Sequence, residues 1–121
     1  MAVAMVGVVA VVTVLAVAVA ALGTLYAARA QAANAADAAA LAAAVSSYPP
    51  ASALPPLTAA RHVAEANGAV VVACRCPRDP GLDHRTVEVM TAISVEVPIF
   101  GRVQVRSVAR AEFDPVLWLG R

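Results

Sequence analysis

The first 28 residues carry no charged side chain, and this run constrains the chain more than any other feature of its sequence. As a helix it would be about 42 Å long, whereas the hydrocarbon core of a bilayer is about 30 Å thick. Its valines fall on every side of a helix, which is typical of a segment surrounded by lipid rather than of a core helix with one polar stripe. We therefore predict a transmembrane helix over residues 1–28, with the lipid bilayer as its surroundings.

A cleaved signal peptide is the alternative interpretation of this segment, because Ala18-Val19-Ala20 has small residues at alternate positions. The apolar run is nevertheless longer than a signal core of about 7–15 residues, and no basic residue precedes it. We favour a retained, single-pass anchor in the cell membrane. Charge alone leaves the orientation poorly determined, since Arg29 is the only charged residue near the helix end and would favour a cytosolic C-terminus.

The helix is predicted to continue beyond the membrane, since alanine, the best helix former, occupies 13 of the 18 positions from 27 to 44. We predict an Ala-rich stem over residues 29–47 that packs on partners or on the chain's own globular part; a solvated stalk is the alternative. A Pro-rich linker is predicted over residues 48–57. The expected helix-packing residues are Gln31, Asn34, Ala36, Asp37, Ala40 and Leu41.

A small α+β domain is predicted over residues 58–121. Thr58 is expected to cap a short helix that Asn67-Gly68 ends, with Ala60, Val63 and Ala64 facing inward. The β-branched run at residues 69–73 predicts a short buried strand.

Two further strands follow from alternating apolar and polar residues. Residues 87–97 predict a half-buried strand bent near Thr91-Ala92, and residues 103–113 predict a third strand after a turn. The alternation slips at Val108, which indicates a bulge or a fraying end. The predicted fold class is therefore α+β: a transmembrane helix continuing into a stem helix, then a short helix and a three-stranded antiparallel meander.

Cys74 and Cys76 lie two residues apart on a predicted strand, so both side chains face the same way. Their Cα atoms would be about 6.5–7 Å apart in extended geometry, at the edge of what a disulfide bridges. A bond between them would distort the strand, so we expect two small, buried or semi-buried apolar side chains, with an intermolecular disulfide in an oxidising compartment as the alternative. A metal site with His84 and Asp79 or Asp83 would lack the paired ligand spacing of zinc modules, so no metal ligand and no cofactor is predicted.

Other function classes find little support in the sequence. The net charge is +1 and no basic block occurs, which argues against nucleic acid as a partner. Ser46, Ser47 and Cys74 show no spacing to a base and an acid, and no glycine loop for a phosphate occurs, so neither an enzyme nor a small-molecule substrate is predicted. The apolar tail around Trp118 is expected to fold back over the sheet, and an exposed partner anchor is the alternative.

The apolar helix running into Arg29-Ala30-Gln31-Ala32-Ala33, with Asp37-Ala38-Ala39-Ala40-Leu41-Ala42 after it, resembles the start of TadE-like proteins. These are pilin-like minor components of the tight-adherence (Flp pilus) machinery. The turn at Ala64-Glu65-Ala66-Asn67-Gly68-Ala69, the strand with a cysteine and the stretch around Ala109-Arg110-Ala111 are similar to the actinobacterial branch.

This resemblance implies a membrane-anchored pseudopilin with its C-terminal domain outside the cytoplasm, and other pilin-like or Tad-type proteins as partners. The chain departs from the pilin pattern in two ways. Gly7 as a cleavage point would put Val12 where prepilins carry a glutamate, and no acid occurs before Asp37, so peptidase processing is not indicated. The branch's paired cysteines are also displaced, because alanine stands in the short helix. The alternative function is an anchored or secreted small binding module unrelated to pili, with a metal ion among the ligands considered.

Overall fold

The computed structural model describes residues 1–120. Its elements are α1 (Ala2–Ser46), α2 (Pro56–Ala66), β1 (Val70–Arg75), β2 (Arg85–Val97), β3 (Gly101–Phe113) and α3 (Pro115–Leu119). The three strands form one antiparallel sheet in the order β1-β2-β3. The predicted α+β fold, with a long apolar helix, a short helix and a three-stranded meander, is confirmed.

Helix α1 is a single element of 45 residues, so no break separates the apolar segment from the Ala-rich segment. It would be about 68 Å long at 1.5 Å per residue. The helix ends where the buried Ser47 donates its hydroxyl to the carbonyl of Ala44 at 2.6 Å. The turns that follow bring the chain back to α2, which packs beside α1.

Helix α2 starts earlier than predicted. Thr58 lies inside its first turn rather than at its cap, because Pro56 takes the first helical position, where a missing backbone N–H costs nothing. The predicted C-terminal stop is confirmed: Gly68 has φ of 74°, and the amides of Gly68 and Ala69 bond the carbonyls of Glu65 and Ala64. Ala60 and Ala64 are buried as predicted, whereas Val63 is half-buried.

The sheet is a long β2–β3 hairpin with a short strand on one edge. β2 and β3 pair without interruption from Arg85 and Phe113 to Val97 and Gly101. The predicted irregularity at Val108 is therefore wrong; Ser107 takes the inward position there and Val108 faces outward. A register shift occurs instead in β1, between Val71 and Ala73. β1 is also not a buried strand, because as an edge strand it leaves most of its side chains exposed.

The core is formed by the alanine side of α1, the inner face of the sheet and α2. Alanines bring the α1 backbone close to the sheet, where Val87 and Val89 are fully buried. This approach is close enough for the buried Thr91 to donate its hydroxyl to the carbonyl of Ala32 at 2.9 Å. A larger side chain on this side of α1 would separate the two layers.

Candidate membrane and packing interfaces

The N-terminal part of α1 projects from the domain with its apolar side chains uncovered. It contains an 18-residue window of mean hydropathy 2.9 of which nothing is buried inside the structure. Val9 and Val12 are 65% and 59% exposed. In water, exposing so long a run of apolar side chains would cost a large amount of free energy. By length and composition this segment is suited to cross a bilayer.

Ala36 and Ala40 lie inside the chain's own domain. Their exposures are 0% and 1%, and both belong to the same buried cluster as Val87 and Val89. The sheet of the same chain therefore covers these two alanines, which is the second of the two arrangements expected for the stem, on partners or on the chain's own globular part. The sequence reasoning allowed for this second arrangement but did not choose between the two.

Asn34, Asp37 and Leu41 lie on the opposite side of α1, and all three are exposed. Leu41 is 63% exposed, although leucine normally lies in a core. Between these residues the same side of the helix presents Ala30 and the half-buried Ala38. We call Ala30, Asn34, Asp37, Ala38 and Leu41 the outer face of the stem. It is a narrow surface of small side chains around one large apolar group.

Gln31 is exposed but is tied to the chain's own turn rather than to the outer face. Its Nε2 donates to the carbonyl of Asn67 at 3.1 Å, which joins α1 to the end of α2. Gly68 lies against the same amide: a Cβ added there would be 2.7 Å from Gln31 Nε2. The glycine is thus required both for its positive φ and for the space that it leaves to Gln31.

Gly68→Ala is expected to lower the free energy of unfolding by about 1–2 kcal/mol, since alanine is strained at φ of 74° and displaces the Gln31 amide. Thermal unfolding in detergent micelles would measure the change. Gly101→Ala is the matched control, because Gly101 has φ of 75° but open space around its Cβ position. Equal losses in the two variants would show that the contact with Gln31 contributes nothing.

Arg85 is a site residue that the sequence reasoning missed. It is 8% exposed, and its guanidinium donates to the carbonyls of Ser47 (3.0 Å), Asp83 (3.2 Å), Gly81 and Asp79. It therefore fastens the loop between β1 and β2 to the C-terminal end of α1, where a positive charge is favourable. The signal was present in the sequence, since Arg85 precedes Val87 and Val89 at the spacing of two that marks the inward side of a strand.

Cys74 and Cys76 are joined by a disulfide, and their Cα atoms are 5.4 Å apart. The expectation of two unlinked thiols was wrong because the backbone at the end of β1 is more contracted than ideal extended geometry. Both residues are half-buried and pack against the core cluster. In residues 1–120, no three His, Cys, Asp or Glu side chains lie close enough together to hold a metal ion.

The C-terminal tail folds back in part. Trp118 lies edge-on to the ring of Tyr48, with the ring centroids 6.1 Å apart, and remains 45% exposed. Asp114 caps α3 by accepting from the amides of Val116 and Leu117. The leucines on either side of Trp118 stay exposed, so the tail covers the end of the domain near Tyr48 rather than the sheet face.

Comparison with known proteins relates the long helix to one protein family. Residues 1–46 match the family model described as putative Flp pilus-assembly TadE/G-like. Over this helix, the chain is similar to TadE/G-like proteins. That family is structural rather than catalytic, and the match over the helix supports a component related to Tad pilus assembly. No curated protein and no solved structure matches the chain.

The TadE-like segment coincides with α1, so it covers both the exposed apolar part and the part that packs on the sheet. The resemblance to TadE-like proteins is thereby confirmed, while similarity to the actinobacterial branch stays a prediction. In this TadE-like chain, the apolar helix is consistent with a single-pass membrane protein.

Proposed function

We propose that this TadE-like chain is a membrane-anchored, pseudopilin-like structural component of a Tad/Flp-type pilus or secretion apparatus. Residues 1–28 span the membrane, and the domain from residue 58 onward lies outside the cytoplasm, as the family resemblance implies. The observation that carries the proposal is the division of α1. Its first part is uncovered on nearly every side, whereas its second part is covered on one side only, by the chain's own sheet and α2.

This arrangement leaves the outer face of the stem available to a neighbouring helix. Small side chains such as Ala30 and Ala38 permit close backbone approach, and dispersion between well-packed helices then stabilises the contact. Leu41 supplies a large apolar group that a neighbour would bury. The face continues directly from the membrane segment, so a partner helix could follow both without a change of direction.

Anchoring is tested by fractionation of cells that produce the full chain. We expect the protein to stay in the membrane pellet after alkaline carbonate washing and to be released by detergent, because a segment this long and apolar is stable only in lipid. Recovery of the intact chain in the aqueous fraction without detergent would contradict the anchoring.

Lateral packing is tested by Leu41→Arg, with Val108→Arg as the matched control. Both positions are exposed, at 63% and 49%, but Val108 lies on the outer side of the sheet away from α1. We expect L41R to weaken co-purification with pilin-like partners roughly 30-fold, the effect of losing about 2 kcal/mol at an interface centre. V108R should retain co-purification. If the two variants behave alike, the outer face is not the partner contact.

A further inference from the structure

The β2–β3 hairpin extends beyond the rest of the sheet. β1 stops pairing at Val70, opposite Ala92, whereas β2 and β3 continue to Val97 and Gly101. The turn that closes the hairpin, residues 98–100, presents Ile99 and Phe100, which are 86% and 73% exposed. We call residues 98–100 the hairpin tip.

Two hydrogen bonds give the direction in which the hairpin runs. Arg85 contacts the carbonyl of Ser47, and six residues later Thr91 contacts the carbonyl of Ala32. Six residues of strand and fifteen residues of helix both span about 20 Å, so β2 runs alongside α1 toward its N-terminus. The next six residues, as far as Val97, extend roughly another 20 Å, to the level of about residue 19 of α1.

Burial on α1 supports this placement independently. Ala21 is 6% exposed although the residues on either side of it are exposed, and Val97 is 3% exposed. The covered residues in this part of the helix share one side of it, which also carries Ala32. They are Val17, Ala21, Thr24, Leu25 and Ala28. The end of the hairpin therefore lies beside the apolar segment.

The depth of the tip follows from the length of that segment. Its 28 uncharged residues exceed the hydrocarbon core by about 12 Å, or roughly eight residues. Tyr26 is 80% exposed, and placing it at the headgroup level that tyrosine prefers makes the hydrocarbon core end near residue 20 of α1. The hairpin tip, at the level of about residue 19, then lies where the headgroups meet the hydrocarbon.

We propose that the hairpin tip is a second membrane contact, with Ile99 and Phe100 inserted into the lipid interface beside the transmembrane helix. This inference rests on the proposed membrane anchoring. Arg102 and Glu96 form an ion pair of 3.8 Å just behind the tip, with side chains 75% and 80% exposed, and lie at headgroup depth. Ile99 has φ of 72°, a conformation unfavourable for a β-branched residue.

The test uses tryptophan as a depth probe in full-length protein. Trp118→Phe removes the single tryptophan, and Phe100→Trp then adds one at the tip, where the exposed site accepts it. The protein is reconstituted into phosphatidylcholine vesicles, with or without bromine on the acyl chains near the headgroup. We expect F100W fluorescence to be quenched by the brominated lipid and its emission to shift to the blue. Ile99→Trp repeats the measurement at the neighbouring position.

Two controls in the same W118F background separate this inference from the anchoring. Val9→Trp, within the apolar segment, should be quenched by bromine placed deeper in the acyl chains. Leu82→Trp, which is 53% exposed in the loop fastened to Ser47, should be unaffected. Quenching at Val9 without quenching at either tip position would overturn the inference and leave the anchoring standing. Absence of quenching at all positions would overturn both.

Discussion

Arg85→Met is expected to lower the free energy of unfolding by about 3 kcal/mol, because three loop carbonyls lose the guanidinium and the buried carbonyl of Ser47 keeps only the amide of Asp79 as a donor. Methionine keeps the length of the side chain but donates no hydrogen bond. The loop between β1 and β2 would then be held less tightly to the end of α1, where the amide of Asp79 still donates to the Ser47 carbonyl. Thermal unfolding in detergent micelles measures the loss, and faster hydrogen exchange in the loop shows where it occurs.

Arg110→Met is the matched control for this prediction, since it makes the same substitution but removes a guanidinium that lies on the surface. Arg110 pairs with Glu88 at 2.6 Å, but its side chain is 73% exposed. An exposed pair contributes at most about 1 kcal/mol. A loss at Arg85 no greater than that at Arg110 would show that the loop does not depend on the buried guanidinium.

The double variant Ala36→Leu, Ala40→Leu is expected to disrupt the domain, with a loss of about 4 kcal/mol or more. Both positions are buried between α1 and the sheet, and forcing a larger side chain into a filled core costs about 1–3 kcal/mol at each site. Insertion into the membrane should be retained, because the apolar segment is untouched. Limited proteolysis of the membrane-bound protein would show the domain cleaved.

Asn34→Leu with Asp37→Leu is the control on the other side of the same helix. Both positions are exposed, so the added volume meets no neighbour within the chain, and thermal stability should change by no more than about 0.5 kcal/mol. If the alanine variant kept its stability as well, the close contact between α1 and the sheet would be refuted. Loss of partner binding in the alanine variant alone would reflect a damaged domain rather than a lost helix contact.

The architecture followed from the sequence because its two periodicities are clear. In lipid, the uncharged apolar run can satisfy its backbone hydrogen bonds as a helix, and the alanines after it favour the same helix. The alternation of apolar and polar residues around Val87 and Val89 indicates a strand with one buried side. Asn67-Gly68 gave the end of α2, since only a residue tolerant of positive φ fits there.

The packing partner of the stem could not be predicted, because alanine occupies most positions of the helix and no side differs clearly in side-chain size from the others. Only the tertiary structure shows that Ala36 and Ala40 face the sheet while Leu41 faces outward. The disulfide was missed for a different reason: ideal strand geometry overstates the distance between Cys74 and Cys76 at a contracted strand end. The sequence does not indicate how deep the hairpin tip lies relative to the membrane. That depth depends on the position along α1 at which β2 packs.

The unbroken course of α1 has a mechanical consequence. With no break between the uncovered apolar residues and those that pack on the sheet, the proposed membrane segment and the domain must tilt and rotate as one rigid body. A force applied to the domain is transmitted to the bilayer along the helix axis, and a twist of the anchor turns the sheet by the same angle.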